Sequence, residues 1–487
     1  MQKFIYTNKF NVKNIDTYIF VICSDLKKNI EKIKILLNLD KLPKKLFENY
    51  KLNGDFEKKI YTDNFELIFI GVSDSFKCSN QKLYETFGKI GKKLASENKN
   101  TMINLLSDDK NIIKNQIISF ILGFYNCTMF KSDIKMNTSK IYFYYPKLKL
   151  KNCINNYIYE GTVQNEIRDL INMPANILYS TKYLEYIKSN LPDDVKIKIL
   201  DEKKLKKIGC NLILGVNQGS KNKSMMIILE YNNISKNNLK SNKVDNKNIV
   251  LIGKGVMFDS GGYNLKYGDF SDMKNDMTGS AIIYGIFKLL SKFKVEGNFI
   301  GLLPIVENMV DANSIRPGDI LKSYNGKTVE IIDTDAEGRL ILADALAYSE
   351  KYKPYLCIDV ATLTGQAASI FDSKSSVIMG NNNKYIQTMI NAGIENNEKI
   401  WELPMWDEYI DMTKSNIADL KNYSNDSKAG TIMAGAFLSH FIPKKSNWIH
   451  LDIAGPDMLS YNNEMRYSGA TAESMRSIFT FIQKISL

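Results

Sequence analysis

A chain of 487 residues exceeds what a single hydrophobic core usually serves, so two or three domains are expected. Its 44% hydrophobic and 24% charged residues match an ordinary globular protein and exclude disorder as a class. The net charge of +12 invites a nucleic-acid partner, yet only five of the 65 basic residues are arginine: Arg168, Arg316, Arg339, Arg466 and Arg476. Base readout and bidentate phosphate contacts favour arginine, so the lysine surplus reads as a solvated surface. The segment starting at Met1 lacks the apolar core of a signal peptide, and apolar Ile117 to Tyr125 is too short to cross a bilayer. No membrane partner is expected. The six cysteines (Cys23, Cys78, Cys127, Cys153, Cys210 and Cys357) form no CxxC pair, which points to reduced thiols and a cytoplasmic setting.

Residues 1–150 alternate between strand-like and helix-like pieces. Thr17 to Cys23 and Phe65 to Val72 read as buried strands, Gln81 to Asn98 and Asn111 to Tyr125 as helices, and Lys140 to Tyr145 as another strand. These make a small α/β domain without a chemical motif, read as a structural or assembly module. The polar stretch from Lys147 to Tyr157 is the expected boundary. A helix around Tyr159 to Asn172 follows and stops at Met173-Pro174, where proline lacks a donor. Gly215 to Ser220 reads as a loop before a strand from Met226 to Tyr231. Asn232 to Lys247 is low in complexity and reads as a surface loop.

The chain then becomes chemically dense. The strand Asn248 to Ile252 runs into glycine-rich Gly253 to Lys266, whose spacing is not that of a P-loop. Met273 to Ser280 leads into an apolar helix ending near Leu290. Thr328 to Ile332 reads as a short strand, and Leu340, Ala343, Leu346 and Ala347 recur at helical spacing. Between them lie Asp333, Asp335, Glu337 and Arg339, at a strand-to-helix junction where α/β folds build ligand sites. Tyr355 to Thr362 is a strand ending in Thr362-Leu363-Thr364-Gly365. Trp448 to Gly455 is another, and Ala472 to Lys484 a closing helix.

His440 and His450 are the only histidines, and neither joins an HExxH, HxH or Ser/His arrangement. Histidine chemistry is therefore disfavoured, and His450, alternating within a strand, reads as a satisfied structural residue. The carboxylates remain. Asp259, Asp276, Asp335 and Glu337 sit at strand ends or turns beside small residues. If they converge, their mutual repulsion needs cations, and two divalent ions about 3.5–4 Å apart are the usual arrangement. Oxygen-rich ligation suits magnesium or manganese, and zinc also accepts carboxylates.

The segments GKGVMFDSGGYNLK, MKNDM, DTDAEGRLILADAL and ATLTG resemble the motifs of the leucyl (cytosol) aminopeptidase family. The order and spacing are similar across residues 160–487, with support from RDLINMPAN, GVNQGS, VENM, RPGD and HLDIAG. The resemblance implies an α/β protein: an N-terminal α/β domain over 1–150, then a larger C-terminal α/β catalytic domain with a mixed central sheet flanked by helices. It implies a metallo-aminopeptidase that releases N-terminal residues, leucine and other apolar ones preferred, from peptides by attack of a metal-bridging water. Lys254, Asp259, Asp276, Asp335 and Glu337 would hold two divalent ions, zinc or manganese, with magnesium or cobalt as alternatives. Asp259 and Glu337 would bridge, Lys254 and Asp276 would hold the tighter ion, and Asp335 the more exchangeable one. Lys266 would polarise the scissile carbonyl, and Arg339 would hold a bicarbonate that accepts the water's proton. Met273, Thr362, Leu363, Gly365 and Ala454 would line the pocket for the first residue. A homohexamer is implied as well. The family usually has Asn at Asp333, Gly at Thr278, Thr at Met257 and Gly at Ala472. Two rival readings stand beside the enzyme: a nucleic-acid-binding regulator and a catalytically silent scaffold on the same fold.

Overall fold

The computed structural model describes residues 3–9, 15–22, 56–61, 65–71, 80–105, 108–133, 137–234, 247–425 and 427–486. The chain divides into two compact units. One comprises Met1–Asn165 with Tyr461–Ser468, the other Glu166–Ser460 with Gly469–Leu487.

The first unit holds a six-stranded sheet in the order Lys3–Thr7, Lys140–Tyr144, Thr101–Asn104, Thr17–Ile22, Glu66–Gly71 and Phe56–Tyr61. All neighbours run parallel except the last pair. Parallel strands are covered on both faces, which explains the unbroken apolar runs of Thr17–Ile22 and Glu66–Gly71. Phe56–Tyr61, at the sheet's edge, carries three consecutive charged residues (Glu57, Lys58 and Lys59) and has no apolar run or alternation to announce a strand. Helices Asn80–Leu94 and Lys110–Phe124 approach closely: a Cβ at Gly123 would lie 2.1 Å from the Gly88 carbonyl oxygen. Cys23 and Val72, the predicted strand ends, lie outside the described residues. Among the described residues, Cys153, Cys210 and Cys357 are free thiols.

The second unit is organised on a nine-stranded sheet. Its order is Ile400–Glu402, Ser376–Gly380, Asn447–Asp452, Pro354–Ala361, Asn248–Gly253, Gly297–Asn308, Met225–Asn233 and Lys196–Asp201, with Gly255–Asp259 pairing further along Gly297–Asn308. The central strands are parallel and those from Met225 and Lys196 antiparallel, so the sheet is mixed, as expected. Helix Gly338–Ser349 packs Leu340, Leu342 and Leu346 with Val250, Ile252 and Leu302. On the other face Phe287, from helix Thr278–Phe293, sits over Gly301. The start of that helix presses on the strand ends, where a Cβ at Gly279 would lie 2.1 Å from the Val360 carbonyl. Only glycine fits there.

Several local readings need correction. Thr328–Glu330 is shorter than expected and belongs to a separate three-stranded sheet with Ile320–Lys322 and Leu420–Lys421. The acidic turn after it is therefore not at the end of a main-sheet strand. Lys147 to Tyr157 is no linker: the 22-residue helix Lys151–Asn172 starts inside it and buries Ile154. Gly215 and Val216 close a helix, Asn211–Val216, rather than open a loop. Of the predicted surface loop from Asn232 to Lys247, residues 235–246 lie outside the described set.

Two departures from the family's glycines also find their place. Thr278 is buried, and its hydroxyl donates to the Asn275 carbonyl at 2.6 Å. Ala472 has φ +51°, in the left-handed region that penalises a Cβ. Ala472→Gly is expected to stabilise the protein by about 1 kcal/mol, read as a raised melting temperature; a lower one would contradict the strain.

Candidate active site

The site forms where three stretches of backbone meet. Lys254 leaves the sheet between Asn248–Gly253 and Gly255–Asp259, its N–H bonded to the Val360 carbonyl at 3.0 Å. Asp259 ends the second of these strands, opposite Asn308. The chain then turns through Gly261 and Gly262, with φ +88° and +67°, to reach Lys266. A Cβ on Gly261 would come 3.0 Å from Asp335 Oδ1, and one on Gly262 would crowd Asn308 and Thr334. The glycines let this loop lie against the acidic turn.

Asp335 and Glu337 come from that turn, just before helix Gly338–Ser349. One oxygen each of Asp259, Asp335 and Glu337 lies within 4.8 Å of the others. Asp276 follows the short 3-10 turn Ser271–Asn275 and accepts from the Thr362 hydroxyl at 2.9 Å. The Lys254 ammonium lies 2.8 Å from Asp276 and 2.9 Å from Glu337, and donates to the Thr362 carbonyl at 2.8 Å. Lys266 lies 2.7 Å from Asp259 and 2.5 Å from Asp335. The structure thus brings all of Lys254, Asp259, Lys266, Asp276, Asp335 and Glu337 into one cluster.

Four carboxylates against two ammonium groups leave an excess of negative charge in a largely buried space. Burial, with Asp259 and Glu337 adding like charge, pushes the Asp335 carboxyl up to about 7. Burial likewise raises Asp276 and Glu337, which Lys254 only partly offsets. For Lys254 burial acts downward, but Asp276, Glu337 and Asp259 overcome it and raise the ammonium. Lys266 behaves the same way beside Asp259, Glu337 and Asp335. Asp276 Oδ2 is buried with no hydrogen-bond partner among the described residues. An orphaned carboxylate oxygen beside an excess of acid suits divalent cations. Such cations would also supply the downward push that a neutral, ligating Lys254 requires.

Arg339 is buried at the head of the helix, its Nη1 donating to the Asn422 carbonyl at 2.8 Å. Its Nε has no partner among the described residues, and burial lowers its pKa. A guanidinium with a free donor suits an anion.

The catalytic-domain model of the cytosol aminopeptidase family matches residues 165–479. A probable cytosol aminopeptidase of Buchnera aphidicola is 35% identical over 512 aligned residues, covering 99% of both chains. The chain belongs to the cytosol aminopeptidase family. The cytosol aminopeptidase of Pseudomonas aeruginosa is 42% identical over 305 residues, 62% of this chain and 60% of that one. The solved cytosol aminopeptidase of Coxiella burnetii superposes with a TM-score of 0.82 at 26% identity, over 99% of each chain. The bottromycin maturation enzyme BotP in complex with Mn shares the fold, with a TM-score of 0.81 at 21% identity over 97% of this chain and 100% of that one. As a member of this family the chain is a peptide hydrolase, and its carboxylate cluster could hold a divalent metal ion. The enzyme reading prevails over the nucleic-acid regulator. No helix among the described residues is long and apolar enough to cross a membrane.

The residues expected to line a substrate pocket are less uniformly assembled. Asp452 is buried and accepts from the Leu363 N–H at 3.0 Å and the Thr364 hydroxyl at 2.7 Å, and from the Ala454 N–H, two residues after it, at 3.1 Å. Thr362 joins them to Asp276. Gly365 faces open space, with nothing within 4 Å of an added Cβ. Met273 is half-buried on its 3-10 turn, which Asn275 ties to Asp457 at 2.7 Å.

Sequence reasoning missed the residues that hold this cluster in register. Asn308 donates to Asp259 at 2.9 Å and to the Thr334 carbonyl at 3.0 Å. Thr334 and Asn264 bond reciprocally, Asn264 N–H to the Thr334 hydroxyl at 2.8 Å and Thr334 N–H to Asn264 Oδ1 at 2.9 Å. Asn308 stood within the VENM segment, so a signal existed. Asn422 carried none. His450 is only half satisfied: Nδ1 meets Asp359 at 2.5 Å, whereas Nε2 is buried without a partner among the described residues.

Because Asp335 holds its proton up to about 7, a metal must displace that proton at lower pH. Affinity for manganese or zinc is therefore expected to weaken as pH falls below about 7. Calorimetric titrations on either side of that value test this; affinity that strengthens in acid would contradict it.

Proposed function

We propose that this protein releases N-terminal residues from peptides, with leucine and other apolar residues preferred. The single observation that supports it best is the acid cluster of buried Asp259 and Glu337 with half-buried Asp335 within 4.8 Å, interleaved with Lys254 and Lys266. Lys254, Asp259, Asp276, Asp335 and Glu337 would hold two divalent ions, zinc or manganese. The bound manganese of a structural neighbour is consistent with that choice. When bound, such ions supply Lewis acidity and lower the pKa of coordinated water toward neutrality.

The chain's own groups do the rest. Lys266, held between Asp259 and Asp335, keeps its positive charge and is aimed by two carboxylates. There it stabilises negative charge growing on the scissile carbonyl oxygen. Arg339, anchored through Nη1 with Nε unpartnered among the described residues, would hold a bicarbonate, which would supply a base for the water's proton. The substrate's α-amine would bind beside Asp276 and the metal that it holds, which would limit cleavage to the first residue. Leu363 and Ala454, whose N–H groups both bond Asp452, would line the first-residue pocket, and the open space at Gly365 would leave room for a branched side chain. A homohexamer in the cytoplasm, suggested by the family resemblance and by the relatives' names, completes the proposal.

Hydrolysis of a leucyl chromogenic amide should vanish on chelation and return with manganese or zinc. Equal rates in chelated and metal-loaded protein would sink the di-metal reading. Asp335→Asn should be inactive. Lys266→Ala should lower kcat roughly 100-fold or more with little change in KM, since its charge matters most in the transition state.

A further inference from the structure

The acidic turn poses a problem of register. Residues 332–336 lie between a three-residue strand and a helix, outside the main sheet that carries Lys254 and Asp259. No sheet ladder fixes them, yet Asp335 and Glu337 must meet Asp259 to within a fraction of an ångström for shared ligation.

One fully buried side chain fills that need. Asn422 Oδ1 accepts from the Ile332 N–H at 2.8 Å and the Asp333 N–H at 3.3 Å. Its Nδ2 donates to the Asp333 carbonyl at 2.6 Å and the Ala336 carbonyl at 3.3 Å. The amide therefore uses its two donors and both acceptor positions on a single turn. Its main chain continues the pattern. The N–H of Asn422 donates to Glu330 at 3.0 Å, and its carbonyl accepts from Arg339 Nη1 at 2.8 Å. Parallel pairing of Leu420 with Val329 and Lys421 with Glu330 fixes where Asn422 starts. Asp333 Oδ1 then accepts from the Asp335 N–H at 2.9 Å, passing the turn's position on to a proposed ligand.

We infer that Asn422 is a positioning residue of the active site, locking the Asp335–Glu337 turn and the Arg339 guanidinium into one register. The inference rests on the aminopeptidase reading for the roles of those groups. It differs from a general packing role because two different functional groups depend on the same residue, one through its side chain and one through its carbonyl.

The test is a double-mutant cycle in the full chain loaded with manganese, combined with manganese titration of the metal-free protein. Asn422→Ala should lower kcat about 100-fold while KM stays within a few fold, the scale of effect that follows a misplacement of about 1 Å. Manganese affinity should weaken about tenfold or more, as for other groups that orient metal ligands. In an Arg339→Ala background the same substitution should cost less than about tenfold in kcat, because the two act on a shared unit. Asn422→Asp fills the same volume and loses both donors; it should show the same pattern and serves where the alanine variant does not fold. Wild-type kcat together with wild-type manganese affinity in a folded variant would overturn the inference. So would an undiminished loss on top of Arg339→Ala. Were the unsubstituted protein inactive on every peptide, the aminopeptidase reading would fail, and the manganese affinity of the Asn422 variants would still decide the positioning role.

Discussion

Electrostatic repulsion among Asp259, Asp276, Asp335 and Glu337 is the constraint on which the rest of this site depends. Buried carboxylates disfavour their charged forms and one another, so they gather only where the fold forces them to. Here the forcing is visible in the backbone. Gly261 and Gly262 stand where a side chain would crowd the acidic turn, and Gly279 where one would strike the strand end at Val360, so they allow the acids to approach. Lys254 and Lys266 are woven between the acids, and each ammonium touches two carboxylates. This arrangement is half neutralised by the chain itself, and the remaining charge is what a metal ion would answer.

The second requirement is precision across a seam. Asp259 belongs to the main sheet, Asp335 to a turn beside a small separate sheet. Asn308 bridges the two directly, and the Thr334–Asn264 clasp joins the loop bearing Lys266 to the same turn. Asp333 fits this scheme despite its departure from the family's asparagine. Its Oδ1 accepts from the Asp335 N–H, a bond that an asparagine oxygen makes equally well. The geometry of the turn therefore tolerates the exchange. What changes is one more negative charge near Arg339, where it adds to the pull of Glu337 on the guanidinium.

Much of this was legible in the sequence for a simple reason. The acids, lysines and glycines of the site lie in contiguous motifs, and the central strands are apolar throughout because both faces are covered. Legibility failed where structure depends on distant partners. Leu420–Lys421 is a two-residue strand that exists only by pairing with Thr328–Glu330, and no local pattern announces it. Asn422 inherits that obscurity: a lone asparagine after a lysine reads as a surface residue. Phe56–Tyr61 was missed because an edge strand carries charge where a central one carries isoleucine. The last two residues of helix Asn211–Val216 fall in the loop expected from Gly215 to Ser220, because Gly215 and the following Asn217 mimic a turn. The helix start is in fact capped by Asp344, which accepts from the N–H groups of Leu212 and Ile213.

His450 shows how far the buried polar order extends behind the site. It was read as a satisfied structural histidine, and half of it is. Burial alone would hold its ring neutral, but the Asp359 carboxylate overrides this and raises its pKa. Asp359 also accepts from the Trp448 indole at 2.6 Å, so one acid serves two aromatic neighbours in the sheet. Two residues further along the same strand, Asp452 turns its carboxylate to the Leu363 and Ala454 backbone. The strand therefore places an imidazole and then a carboxylate on one side, stepping by two from the core toward the loop beside Thr362. A wall held by buried hydrogen bonds has few alternative packings, because each broken bond leaves a costly unpaired group. Rigidity of this kind lets neighbouring backbone groups keep fixed positions against the acids.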